Sequence, residues 1–309
     1  MKVLLKMKHG LGDNAQFTIV LRHIQRSRPD WIVDMEVGAG KASYFRSATR
    51  KLFLRNKEPY AEGEYDRVIE GSWSIPKTCR PDLPATKPTR FLQEVLGIDP
   101  IESLYRGYQI EIAPEEAELT DQYVASLPPR PLVLLHYLAT TLRGFKNLSH
   151  EDAWFICDRI QEAGCIPVIL DWKSESPLPD GKRIFNPGLD NPIWQGQKSS
   201  SAGTLASLIR RARLFIGIDS GPLHVAGATN TPAIGVWGKH HPVNFFDLCD
   251  NVTHLVPRRG CRVRGDNAEL GKSYFEQAYR FVYYNDLRSA LSKSINQSFQ
   301  TAASWGPPA

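Results

Sequence analysis

A short turn that carries an acid, a hydroxyl and a glycine has the clearest chemical potential in this sequence. Asp219, Ser220 and Gly221 follow an apolar run at residues 214–218, which is long enough for one buried strand. The following proline and small residues predict a helix that begins at this turn. Free N–H groups at a helix start attract an anion, and His224 lies one turn further on. The residues alone leave two interpretations open, an anion or sugar site and an ordinary capped helix with an interior histidine.

A second turn, at residues 9–14, combines glycines with a carboxylate directly after a predicted first strand. Gly10 and Gly12, together with Glu36 further along, fit the spacing of a dinucleotide-binding turn. Asp13 lies inside this turn, where its negative charge would repel a pyrophosphate. A carboxylate there suits a general base that takes a proton from a hydroxyl. A plain helix cap is the structural alternative for Asp13.

A third polar loop follows the predicted strand at residues 132–136. It contains Thr140, Thr141 and Lys146, whose hydroxyls and ammonium group suit contacts with phosphate. The alternative for Lys146 is an ordinary surface loop.

These motifs resemble the pattern of glycosyltransferase family 9, the heptosyltransferase-type enzymes with the GT-B fold. Residues 219–238 resemble the signature of the family at the positions Asp219, Ser220, Gly221, His224, Ala226, Pro232 and Gly238. Gly227 and Trp237 replace the usual Ala and Phe. The turn with Asp13 resembles the G-x-G-D of the family, and Asn147-Leu148 replace the usual W-P after Lys146.

The resemblance implies a mechanism and a set of roles. Asp13 would be the base, and Lys146 would contact the donor phosphates together with the groups at 219–221. Thr140, Thr141 and His224 would complete the donor site, with Gly10 and Gly12 shaping the first turn. The implied reaction is an inverting, metal-independent transfer from a nucleotide sugar such as ADP-heptose to a hydroxyl on a glycan such as lipopolysaccharide core, without a cofactor.

The elements that must position these residues alternate between strand and helix twice along the chain. The segment at residues 127–131 is rich in proline and predicts a stiff linker. We therefore expect two Rossmann-like, doubly wound α/β domains that face each other across a cleft. The expected domains are residues 1–127 on the acceptor side and 128–275 on the donor side. A C-terminal helix in residues 276–309 would pack back on the first domain.

Local predictions for six segments can be compared with the structure. Residues 40–55 form a basic, helix-like stretch, and residues 108–112 a strand. Residues 272–293 form a long helix, and residues 298–309 a frayed end. The polar segments at residues 74–90 and 172–202 are expected to be loops.

The composition indicates an ordinary globular protein with a mild positive charge. Of its 309 residues, 42% are hydrophobic and 23% charged, and the formal net charge is +5. No apolar run is long enough for a transmembrane helix, and the five scattered cysteines suit a reducing cytoplasm. We expect a cytoplasmic protein with affinity for anionic ligands. Contact with an anionic membrane surface and a nucleic acid acceptor both stay open, and the basic run at residues 258–264 is either a solvated loop or such a contact.

Two other classes of function compete with a sugar transferase. One is another nucleotide-dependent enzyme, an oxidoreductase or an epimerase, and the other is a noncatalytic nucleotide-binding relative. His240, His241, Cys249 and Cys261 match no standard metal-ligand spacing, so the sequence predicts no metal site.

Overall fold

The computed structural model describes residues 1–71, 73–74, 83, 86–171, 173, 175–177, 184–190, 201–261 and 279–303. Most of the predicted loops at 74–90 and 172–202 lie outside these residues, as do residues 262–264 of the basic run, 272–278 and 304–309. Residues 1–131 are called the N-terminal part below, and residues 132–309 the C-terminal part.

The N-terminal part is built on a parallel sheet of four strands in the order β3-β2-β1-β4. The strands are β1 (Lys2–Lys6), β2 (Ile32–Val37), β3 (Lys51–Leu54) and β4 (Arg67–Glu70). The helices are α1 (Leu11–Ser27), α2 (Lys87–Arg90), which continues as a π-helical turn over Phe91–Leu96, and α3 (Pro114–Ala125). Short 3₁₀ turns lie at Ala39–Tyr44, Glu62–Glu64 and Glu102–Tyr105. The apolar face of α1 packs on the sheet, with Phe17 and Val20 in the same core as Val3 and Leu5.

The C-terminal part is built on a parallel sheet of six strands in the order β10-β9-β8-β7-β5-β6. The strands are β5 (Leu132–His136), β6 (Ile166–Ile169), β7 (Ala212–Ile218), β8 (Ala233–Val236), β9 (Val252–Pro257) and β10 (Arg280–Tyr284). The helices are α4 (Arg143–Lys146), α5 (His150–Glu162), α6 (Pro187–Asp190), α7 (Ala202–Arg210), α8 (Gly221–Gly227), α9 (Pro242–Phe245) and α10 (Leu287–Ala303). The central strands are mostly apolar and almost entirely buried, as both faces of a parallel sheet require.

Two separate parallel sheets with helices confirm the predicted fold class. The first strand of the second sheet begins directly after the proline segment, and no strand pairing joins the two sheets within the described residues. The turns after β1, β5 and β7 all carry predicted site residues. These turns lie beyond the carboxyl ends of the strands, which is where ligands of open α/β sheets bind.

Two predictions about the N-terminal part are wrong. Residues 40–55 form a 3₁₀ turn and the edge strand β3 instead of a helix, because the buried carboxylate of Asp34 holds the Arg50 guanidinium and the N–H of Lys51 against β2. Residues 108–112 form no strand. Their backbone runs past the first 3₁₀ turn, where Glu111 N–H donates to Ser43 O, and Tyr108 is inserted between the two parts of the chain.

The predictions for the C-terminal end need a similar correction. Part of the predicted helix at 272–293 is strand β10, in which apolar and aromatic residues suit pairing with β9. The helix α10 begins later and continues through Ala303, so residues 298–303 are not frayed. This helix packs on α5 and on strands of the second sheet, with Leu291 and Ile295 buried in that core. The expectation that it packs back on the N-terminal part is therefore wrong.

The two parts meet where α1 packs against α8. A methyl group on Gly12 would lie 2.5 Å from Cδ2 of His224, and one on Gly221 would lie 2.7 Å from Cβ of Leu11. Real contacts of this kind do not occur, so the two backbones approach closely only because both positions are glycine. The sequence motifs of the two parts are thus in direct contact.

Candidate active site

The carboxylate of Asp219 lies at the end of β7 and holds two basic side chains. Its Oδ2 is 3.1 Å from Nζ of Lys146 and 3.0 Å from Nδ1 of His240. Burial alone would raise the pKa of Asp219, but the hydrogen bond from His240 and the charge of Lys146 hold it below its usual value. Asp219 and Lys146, predicted from separate motifs, are therefore neighbours, while His240 was considered only as a metal ligand.

The helix α8, which follows Asp219, lies at the interface between the two parts of the chain. Ser220 is the N-cap of α8, without a side-chain cap hydrogen bond. His224 is buried, with its Nδ1 3.3 Å from the hydroxyl of Tyr108 and its ring 4.7 Å from that of Phe246. Burial lowers the pKa of His224 to about 4, so the imidazole is neutral at neutral pH. This environment favours the interpretation of His224 as an interior histidine.

Asp13 lies in the first turn of α1 and carries two contacts. Its Oδ2 accepts the N–H of Gly10 at 3.2 Å, in the manner of a capping box, and its Oδ1 is ion-paired with Nζ of Lys87. The side chain of Asp13 is 22% exposed, so it is accessible to a ligand. Lys41 lies close enough for the charge of Asp13 to act on its pKa, which burial lowers.

Asp13 and the Asp219 cluster converge on His224 from opposite sides of the interface. The charges of Asp219 and Asp13 raise the pKa of His224, while those of Lys87 and Lys146 lower it. Coulomb interactions of this kind act over short distances. The sequence missed Lys87 and Lys41, because each lies in a segment that was interpreted as a loop or a basic helix.

The loop after β5 places its predicted residues differently. Thr140 and Thr141 are exposed, and no hydrogen bond of their side chains is seen among the described residues. Phe145 is 52% exposed, and the ammonium group of Lys239 lies 4.1 Å from the centre of its ring. The carbonyl of Phe145 approaches Gly238 so closely that a methyl group there would lie 2.4 Å from it. Lys239 thus adds a cation beside Lys146 that the sequence had not singled out.

A further polar group lies at the carboxyl ends of β5 and β6. His136 is buried, its Nδ1 has no hydrogen-bond partner within the described residues, and burial lowers its pKa to about 4. Asp171 accepts the N–H groups of Lys173 and Ser176 at 3.2 and 2.6 Å.

The structure also bears on the competing dinucleotide and metal interpretations. Gly12 in the first turn is covered by the His224 ring, and the Glu36 carboxylate is occupied by Arg55 at 2.7 Å and by the hydroxyl of Tyr60. Among the described residues, no group of three or more His, Cys, Asp or Glu side chains is arranged to hold a metal ion. Within the same residues, no helix has the length and apolar character needed to cross a membrane.

Comparisons with known proteins identify the family of the chain. The model of glycosyltransferase family 9 (heptosyltransferase) matches residues 108–271. Lipopolysaccharide heptosyltransferase 3 of Escherichia coli is 56% identical over 34 residues, which is 11% of this chain and only 10% of that protein.

Solved structures extend the similarity to the whole chain. The ADP-heptose lipopolysaccharide heptosyltransferase II of E. coli is 13% identical, with a TM-score of 0.63 over 98% of this chain and all of that one. The iron-containing dodecameric glycosyltransferase TibC of enterotoxigenic E. coli is 14% identical, with a TM-score of 0.64 over 99% of this chain and 80% of that one. It has also been solved in complex with ADP-D-β-D-heptose.

At this level of identity the structures establish the fold, and the family model, which covers more than half of the chain, establishes the family. The chain therefore belongs to glycosyltransferase family 9 (heptosyltransferase) and is by family a glycosyltransferase with the GT-B fold.

Proposed function

We propose that this chain is an inverting transferase that moves heptose or a related sugar from a nucleoside diphosphate to a hydroxyl of a glycan. ADP-heptose is the proposed donor and a lipopolysaccharide core the proposed acceptor, because the relatives are named for them. The proposed reaction uses no metal ion and no cofactor.

One observation carries this proposal. Gly12, the neighbour of the Asp13 carboxylate, lies against the ring of His224 from the N-terminal part. On the C-terminal side, the cation Lys146 pairs with Asp219, which lies two residues before the helix that carries His224. A glycosyl transfer needs such a pair, a base near the acceptor hydroxyl and a positive charge near the leaving diphosphate.

In the proposed reaction, one bond forms to the acceptor and one bond to the donor diphosphate breaks. The acceptor oxygen attacks the anomeric carbon, and its proton passes to Asp13. The bond from that carbon to the diphosphate breaks at the same time, and the electron pair leaves with the diphosphate. Attack opposite to the leaving group inverts the anomeric centre.

Asp13 can accept a proton only after it exchanges a present contact for the acceptor. In the structure, Lys87 occupies Oδ1 and the N–H of Gly10 occupies Oδ2. An acceptor hydroxyl would take the place of one of these partners.

The donor diphosphate is assigned to Lys146, which pairs with Asp219, and to Lys239, which lies over the ring of Phe145. Lys146 is 16% exposed and Lys239 is exposed, so both ammonium groups can reach a ligand. Ser220 and Gly221 form the start of α8 directly after Asp219, and Thr140 and Thr141 lie on the loop before Lys146. Their N–H and hydroxyl groups are the proposed additional donors. Fixed positive charge of this kind stabilises the negative charge that develops on the leaving group.

The dinucleotide alternative is less well supported. A pyrophosphate needs close access to the glycine backbone, and in this structure the His224 ring lies there instead. We therefore propose that the donor binds to the C-terminal part.

A panel of nucleotides tests the assignment of the donor. ADP and ADP-heptose at about a hundred times their dissociation constant should stabilise the fold by about 2.7 kcal/mol, or roughly 5–10 °C in melting temperature. UDP, GDP and NAD serve as comparisons. Stabilisation by NAD alone would contradict the proposal and favour an oxidoreductase.

A further inference from the structure

Asp247 is a carboxylate with no exposure to solvent at the interface between the two parts. It lies in the C-terminal part, between α9 and β9, but the side chains that hold it come from the N-terminal part. Its Oδ1 accepts from the hydroxyl of Thr86 at 2.7 Å, and its Oδ2 from the amide of Gln16 at 3.1 Å. The Tyr108 hydroxyl lies 3.3 Å from Oδ2 and accepts the N–H of Asp247 at 2.8 Å.

Two of these partners adjoin the acceptor-side groups of the active site. Gln16 lies on α1 three residues after Asp13, and its amide also donates to the carbonyl of Phe245 at 3.1 Å. Thr86 is the N-cap of α2, directly before Lys87. Asp247 therefore anchors the two segments whose side chains form the Asp13–Lys87 ion pair.

The third partner leads to the donor side. The Tyr108 hydroxyl is also 3.3 Å from Nδ1 of His224, on α8. Since Asp219 lies two residues before α8, the same carboxylate contacts a chain of groups that ends at the donor turn.

We propose that Asp247 is a positioning residue for the transfer, which fixes the segments of Asp13 and Lys87 against the donor helix. This inference rests on the proposed function, because it takes Asp13 as the reacting group. Asp247 itself touches neither substrate in this arrangement.

The burial of Asp247 makes the charged form of this carboxylate energetically unfavourable. Burial raises its pKa to about 6, although three hydrogen bonds and the charge of Arg22 act in the opposite direction. A charge buried at such a cost, with all its donors on the opposite part of the chain, is more consistent with a specific alignment than with added stability.

The test compares two substitutions of Asp247 in the full-length protein. Asp247→Ala leaves three donors without their acceptor. Asp247→Asn keeps both the size and the hydrogen bonds of the side chain. Its oxygen can accept from Gln16 and Tyr108, and its amide can donate to the hydroxyl of Thr86 after that hydroxyl rotates. We expect kcat to fall by about 10–100-fold in Asp247→Ala, the usual effect of a displacement of about 1 Å, and to stay within about threefold in Asp247→Asn. Donor dissociation constants should change by less than about twofold in both.

Glu116 offers a matched control, because it is another buried carboxylate between the two parts. It accepts hydrogen bonds from Ser43 at 3.0 Å and Ser201 at 2.5 Å and pairs with Arg46, but contacts none of the proposed site residues. Glu116→Ala should lower the melting temperature at least as much as Asp247→Ala, with kcat within about twofold of wild type.

A kcat of Asp247→Ala near the wild-type value would overturn the proposal, as would an equal loss in Glu116→Ala. If Asp247→Ala does not fold, Gln16→Leu removes one of the three donors. It should lower kcat about 3–10-fold with an unchanged donor constant, and unchanged kcat would likewise overturn the proposal. The Asp13→Asn variant separates the two proposals. If Asp13 is not the base, Asp13→Asn keeps its transfer activity. If only the Asp247 proposal is wrong, Asp13→Asn still loses that activity.

Discussion

The close contact between Gly12 and His224 predicts the sign of the stability change in Gly12→Ala. Gly12 lies in the first turn of α1, where helix propensity alone would make Gly12→Ala more stable by up to about 1 kcal/mol. In the structure the added methyl group would lie 2.5 Å from Cδ2, 3.0 Å from Nε2 and 3.1 Å from Cγ of His224. Ordinary carbon contacts begin near 3.5 Å, so helix and ring must separate by about 1 Å.

The His224 ring has little freedom to move, because Phe246 packs against it and the Tyr108 hydroxyl lies beside Nδ1. Overpacking of this kind costs about 1–3 kcal/mol. We expect a net loss of about 1–2 kcal/mol, or a few degrees in melting temperature.

The assay for Gly12→Ala is thermal unfolding combined with the rate of transfer. The rate should fall by about tenfold or more, because Asp13 is the next residue and misplacement of a reacting group is costly. Gly63→Ala is the control, since no atom lies within 4 Å of its added methyl group, and it should stay within about 0.5 kcal/mol of wild type. A Gly12→Ala protein that is as stable and as active as wild type would refute the contact between α1 and α8.

Two further predictions concern charges. Lys146→Ala should raise the dissociation constant for ADP by about 10–100-fold, because a charge-assisted hydrogen bond contributes about 1.5–3 kcal/mol; calorimetry checks this, with the exposed Lys57→Ala as control, and an unchanged constant would remove Lys146 from the site. The second prediction follows from the raised pKa of Asp247, about 6 in the fold against 3.8 as its ordinary value. The folded state binds this proton more tightly, so the contribution to stability is present below about pH 4 and is lost as the pH rises through 6. The charged and titratable groups facing Asp247 are Arg22, Tyr108 and Cys249. The melting temperature of Asp247→Asn relative to wild type should therefore rise between pH 4 and pH 7 and stay constant above, and a difference independent of pH would contradict the assignment.

The sequence predicted the elements that are defined by local pattern. The apolar run before Asp219 and the proline after it are signals within a few residues, and strand β7 and helix α8 are found where they were predicted. The turns after β1, β5 and β7 were likewise predicted, because glycine and polar residues directly after an apolar run are typical of strand ends.

The sequence did not predict the features that depend on distant partners. Strand β3 is fixed by Asp34, and the conformation around Tyr108 by Asp247 and His224, which are 139 and 116 residues away. The contact of Gly12 with His224 and the pairing of Lys87 with Asp13 also join residues that are far apart in the sequence. No periodicity within either segment encodes them.

The Asp13→Asn substitution tests the central claim most directly. Asparagine keeps the size, and its side-chain oxygen can still accept the N–H of Gly10, but it cannot accept a proton at neutral pH. If Asp13 is the base, the rate of transfer from ADP-heptose should fall by about 10²–10⁴-fold, while the melting temperature and the dissociation constant for ADP stay close to wild type because Asp13 lies on the acceptor side. A rate near wild type with normal folding would make Asp13 a helix cap and contradict the account.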